Sequence, residues 1–226
     1  NNIKMSSLFY DAFSTYSVFV LTYGAASLIG FALDYYSVYE DKKLKNRSRD
    51  EYIVLYKRCL PVVATNVCIY SFPYIYISLL IQSLVWGNPE VYPDNIFICL
   101  YYFMYYNVMT TLLTDMFFYC GHKLMHTKPL YKYHKLHHEI KYPISISALY
   151  MHPVDLYCSN LSPVALSALI LNYNVFTLKM IIFMQLMFSI LEAHGGYIQN
   201  AHTFHHKLFK YNYGLGIDVA GYIVEL

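Results

Sequence analysis

All ten histidines of this chain fall between His122 and His206. Eight stand in three clusters: His122-Lys-Leu-Met-His126, His134-Lys-Leu-His137-His138 and His202-Thr-Phe-His205-His206. His152 and His194 stand alone between them. On a helix, residues three and four apart share a face, so each cluster is expected to present two or three imidazoles in one direction. A lone histidine on an apolar face is ordinarily a satisfied core residue. Eight in three clusters are different, because each buried imidazole without a partner costs about 1–3 kcal/mol, and crowding multiplies that cost unless a cation takes up the lone pairs.

The ligand types narrow the chemistry. Imidazole suits iron, zinc and copper. The five cysteines are scattered, without a Cys-x-x-Cys pair, and none sits at ligand spacing in the histidine stretch, which removes iron–sulfur clusters and thiolate zinc sites. No Glu-x-x-His pair occurs, so the carboxylate-bridged di-iron bundle is a poor match. One tetrahedral ion needs about four ligands; eight to ten imidazoles suffice for two ions.

The elements that must position these residues are apolar. The chain of 226 residues is 57% hydrophobic and 13% charged, against roughly 25% charged in a soluble domain, which points to a membrane protein. Its net charge of +2, without a basic aromatic-rich helix, excludes a nucleic-acid surface. Charge-free runs at 12–33, 60–86 and 96–114 are each read as one span, the second kinked by Pro73. The run from Leu156 to Leu191, broken by Asn172-Tyr-Asn174, has short arms that suit a hairpin dipping into the membrane, or else two thin spans. Lysines and arginines fill 42–58 and 123–141, whereas the connector 87–95 has none, so the histidines face the cytosol. The chain begins Asn1-Asn2, and a segment ahead of it is left open. The expected fold is an all-α integral membrane protein of about three spans plus a re-entrant or short hairpin, with a cytosolic histidine-rich helical cap.

These spacings, together with Asp115-Met-Phe-Phe-Tyr119, Leu130-Tyr-Lys132, Ala148-Leu-Tyr-Met-His152-Pro-Val-Asp155, Glu192-Ala-His194-Gly-Gly-Tyr197 and Phe209-x-x-Asn212-Tyr213, resemble the fatty acid hydroxylase and sterol desaturase superfamily of membrane di-iron oxygenases. The resemblance covers 115–213. It divides the chain into N-terminal spans and a cytosolic loop over 1–95 and a catalytic domain over 96–226. It implies that His122, His126, His134, His137, His138, His194, His202, His205 and His206 ligate metal, with His152 a further ligand or a wall of the site. Asp115 and Asp155 are expected to accept the second N–H of ligand imidazoles. Two iron ions are implied, with zinc the alternative, and O₂ as co-substrate.

The implied activity is oxidation of an unactivated C–H bond of a lipid, giving an alcohol or an alkene, in the endoplasmic reticulum membrane. The electron donor expected is cytochrome b5 with its reductase. Residues 130–139 resemble the methylsterol oxidase branch and residues 147–153 the sphingoid-base hydroxylases, so a sterol-type substrate is expected, with a sphingoid base or fatty acyl chain as alternative. Lys123 and Gly121 depart from the family's arginine and aromatic, and Ile217-Asp218 from its closing Trp-Asp. Rival readings are a metal transporter, a zinc hydrolase with Glu139 as base, and a non-catalytic metal-binding relative. A transporter would hold its ligands mid-membrane, not among lysines.

Overall fold

The computed structural model describes residues 5–87, 95–197, 201–209 and 213–214. Its described residues are helical, without a strand. The long elements are α1 (Met5–Tyr35), α2 (Arg49–Thr65), α3 (Ser71–Trp86) and α4 (Ile96–Met125). Short helices α5 (Tyr131–His134) and α6 (Pro153–Asp155) follow, then α7 (Ser162–Leu171), α8 (Val175–Phe188) and α9 (Ala201–Leu208).

Local sequence explains the boundaries. Ser48 starts α2 with a reciprocal cap, its hydroxyl accepting from the Glu51 amide while the Glu51 carboxylate accepts from the Ser48 amide. Asn95 caps α4 through Phe97 and Ile98. The Asn172-Tyr-Asn174 break works at both sides: Asn172 ends α7 in the left-handed conformation, at φ 46°, and Asn174 caps α8 through the Thr177 amide.

Three wide π turns, at Asn66–Tyr70, Leu156–Leu161 and Ser189–His194, join helices into longer units. With these three joined units, the described residues hold five helices long and apolar enough to cross a membrane: 5–35, 49–86, 96–125, 153–171 and 175–194. The single span expected over 60–86 is therefore present as part of the 49–86 unit, with a π turn at Asn66–Tyr70 ahead of Pro73. Of the two expectations for 156–191, the alternative of two spans fits better than the hairpin. The arms run for 19 and 20 residues, about 28–30 Å at ~1.5 Å per residue, which is long enough for a full crossing. Counting apolar residues stopped too early, because the helices continue through Pro153, Asp155, Glu192 and His194.

Helix α1 packs on α8 and α3, and α4 packs on α7. Gly121 permits part of the second contact: a Cβ there would meet the Cys158 carbonyl oxygen at 3.0 Å. That explains the missing aromatic at this position, since a larger side chain would separate α4 from the 153–171 helix.

At the histidine end, α1 is clasped to the rest by a buried ion pair between Lys43 and Asp34. Tyr56 donates to Asp34 Oδ2 at 3.1 Å, and the Tyr197 hydroxyl lies 3.1 Å from Asp34 Oδ1 and 2.8 Å from the Gly30 carbonyl. The Lys43 ammonium also sits over the rings of Tyr52 and Tyr197, at 4.9 and 4.6 Å. Four segments of chain thus meet at one charge pair.

Candidate metal centre

Nine histidines form two groups, each with its ligand atoms within 4.8 Å of one another: His122, His126, His134, His138 and His205 in the first, and His137, His194, His202 and His206 in the second. The clusters do not each present one face, as their spacing suggested. Pairs four apart stay together: His122 with His126, His134 with His138, and His202 with His206. The middle histidine goes to the other group, His137 to the second and His205 to the first. The reason is geometric. Positions four apart on a helix differ by about 40° around the axis, whereas adjacent positions differ by about 100°. A helix end wedged between two sites therefore feeds both.

Short nitrogen–nitrogen distances fill the first group. His126, His138 and His205 close a triangle of Nε2 atoms with sides of 3.1, 3.3 and 2.9 Å, and His134 Nε2 lies 3.0 Å from that of His138. Hydrogen bonds cannot satisfy a triangle of neutral imidazoles. Each nitrogen either donates or accepts, so at least one edge joins two donors or two lone pairs. A cation inside removes the conflict. Nitrogens that share one ion at about 2.0–2.1 Å each would have to lie within about 4 Å of one another, as these do.

The outer nitrogens fix the tautomers. His122 Nδ1 lies 2.8 Å from the Tyr213 carbonyl, His134 Nδ1 2.7 Å from Asp155 Oδ2, and His194 Nδ1 2.8 Å from the Ser189 carbonyl. Each Nδ1 must donate to its oxygen, which leaves Nε2 as a lone pair. The Nε2 atoms of His122 and His194 are buried and have no protein partner. Ser189 opens the π turn that ends at His194, so its carbonyl lies within reach of that ring. Burial, and then the neighbouring imidazoles, hold His137, His202 and His206 well below the usual imidazole range, and the same two causes push His126 down to about 3. Neutral rings are the form that binds metal. The donor set therefore fits two ions.

Asp155 lies against His134, twenty-one residues away, and not against His152, to which its spacing pointed. Asp115 is buried on α4, two turns before His122. His152 lies outside both groups. Glu139 is half exposed and paired with Arg58, with the Tyr150 hydroxyl at 3.4 Å, so its carboxylate is engaged at the surface. The residues of the expected C-terminal departure, Ile217 and Asp218, lie outside the described residues. Sequence reasoning missed the two backbone carbonyls, which no side-chain pattern marks, and Phe118, whose signal was its place one turn before His122.

Phe118 packs edge-on against His122 and His202, with ring centroids 5.2 and 5.7 Å away. Its other side lines a mainly apolar cavity of about 110 Å³ between α1, α3, α4, α7 and α8. The cavity runs along α8 from Leu178 to Ile190, about 18 Å of helix rise. Its near end is walled by Phe118 and Ser189, so it stops against the histidines.

A fatty acid hydroxylase family model matches residues 107–224, more than half of the chain. This chain belongs to the fatty acid hydroxylase family. It is 28% identical over 220 residues to fatty acid hydroxylase domain-containing protein 2 of Macaca fascicularis, covering 94% of this chain and 62% of the relative. A fatty acid hydroxylase of Mycosarcoma maydis is 34% identical over 110 residues, 46% of this chain and 28% of its own length. A methylsterol monooxygenase of Aspergillus fumigatus is 27% identical over 141 residues, 54% of this chain and 47% of its own. The chain thus spans about three-fifths of the macaque relative. No solved structure matches it.

Proposed function

We propose that this fatty acid hydroxylase family member is a membrane di-iron oxygenase that uses O₂ to oxidise an unactivated C–H bond of a sterol-type lipid. The observation that carries the reading is the meeting, across Phe118, of an apolar cavity with two groups made of histidine alone. Ions held there would supply O₂ activation and hydrogen abstraction, chemistry for which iron is suited and zinc is not.

The remaining tasks fall to the chain itself. The cavity's mainly apolar lining suits an apolar substrate. Phe118 meets whichever carbon reaches the site. Asp155 and the carbonyls of Ser189 and Tyr213 hold the imidazoles in the tautomer that offers Nε2. The lysine-rich segments support a cytosolic site in the endoplasmic reticulum membrane, and electrons would come from cytochrome b5 and its reductase. The name of the Aspergillus relative supports a sterol, and that of the Mycosarcoma relative supports the second reading, an acyl or sphingoid-base hydroxylase. A zinc hydrolase is disfavoured because Glu139, its candidate base, is held by Arg58.

The test is direct. Metals in the purified protein are counted by elemental analysis, and the protein is given membrane lipid extract, O₂ and a cytochrome b5 reducing system. The expected product is a lipid heavier by one oxygen atom or lighter by two hydrogens. A single zinc per chain with no oxygen consumption overturns the reading. Sterol and sphingoid-base substrates assayed side by side separate the two branches.

A further inference from the structure

His152 lies outside both histidine groups and differs in tautomer from the three grouped histidines whose Nδ1 meets an oxygen. Its Nδ1 accepts a hydrogen bond from the Val154 amide at 3.1 Å, so its proton is on Nε2 and no lone pair remains for a metal ion. The ligand-group histidines His122, His134 and His194 are the reverse, with Nδ1 facing an oxygen. His152 takes an extended backbone, φ −71° and ψ 146°, directly before Pro153 at the first helical position. Proline has no amide proton, so Val154 carries the first amide in need of a partner, and the His152 ring supplies it. The same ring packs on Tyr133, centroids 4.9 Å apart. Tyr133 precedes His134, and Asp155 is the third residue of the helix that His152 caps.

We propose that His152 is a positioning residue: it caps the helix that carries Asp155 and braces Tyr133, and so aligns both partners of the His134–Asp155 hydrogen bond without touching a metal ion. The inference rests on the reading of His134 as a ligand.

Metal affinity is measured by chelator competition on the full chain for His152→Ala, His152→Asn, Asp155→Ala and the double variant His152→Ala/Asp155→Ala. Asp155→Ala and His152→Ala should each weaken one of the two ions about 10–100-fold, the range for loss of a ligand's hydrogen-bond partner. The double variant should be no weaker than Asp155→Ala, because both changes act through one bond. His152→Asn, which caps a helix well, should stay within about threefold of the parent protein. In the metal-free protein, amide hydrogen exchange over 153–157 should speed up in His152→Ala and remain slow in His152→Asn. If Asn is as damaging as Ala, or the two effects multiply in the double variant, the positioning role is overturned. A His134→Ala control separates the premises. Full metal binding in that variant removes the ligand reading itself, whereas loss there without any effect at His152 removes only the role proposed here.

Discussion

His134 Nδ1 and Asp155 Oδ2 lie 2.7 Å apart, both almost wholly buried, and Ser159 holds the other carboxylate oxygen. The pair fixes which nitrogen of His134 faces the first histidine group. Asp155→Asn keeps an acceptor but loses the charge, and should fall between the parent and Asp155→Ala in metal affinity. The comparison is made by elemental analysis after dialysis against graded chelator, and equal affinity in all three proteins would remove Asp155 from the site.

The two groups should be separable by mutation. His205→Ala removes a nitrogen from the first group and His137→Ala from the second. Each should reduce bound metal from two ions toward one and abolish turnover, while circular dichroism in detergent keeps its helical signal. Full activity in either variant would exclude that residue from the ligand set.

The cavity predicts a change that spares the metals. Ala165 lines it from α7, and Ala165→Phe fills part of the space at a packing cost of about 1–3 kcal/mol. Lipid turnover should drop at least tenfold with metal content unchanged. Unaltered kcat/KM would mean that the substrate reaches the histidines by another route.

At the clasp, Asp34→Ala leaves Lys43 buried without its counter-ion. Breaking a buried pair from one side costs about 3–5 kcal/mol. The double change Asp34→Asn/Lys43→Met should be milder than either single change, because no isolated charge remains. Thermal unfolding in detergent reads both effects, and additive losses would show that the two residues do not depend on each other.

Acid should weaken the metal-free protein for a stated reason. His126 falls to about 3, and His137, His202 and His206 are also lowered, so the folded state binds fewer protons than the unfolded chain below the ordinary imidazole value. Their contribution is full above pH ~6.5 and is lost progressively as pH falls, at up to about 1.4 kcal/mol per pH unit for each histidine. Unfolding of the metal-free protein followed at descending pH should show this slope, and His206→Gln should reduce it. A pH-independent midpoint between neutral pH and pH ~5 would contradict the burial of these rings.

The sequence by itself determined the spans of α1 and α4, the single second span and the ligand candidates, because apolar length and histidine spacing are local properties that survive without knowledge of partners. Asp155 stood out locally, three residues from His152, but its partner His134 is distant in sequence and only the fold brings the two together. Tertiary structure alone decided how the clusters divide, since His137 and His205 are assigned by which site faces their side of a helix end. It also placed His152 outside both histidine groups, with its Nδ1 capping the Val154 amide. The Ser189 and Tyr213 carbonyls are invisible in sequence because every residue has one. The lengths of the last two helices were hidden because caps and π turns carry them across polar residues at which a hydropathy count stops.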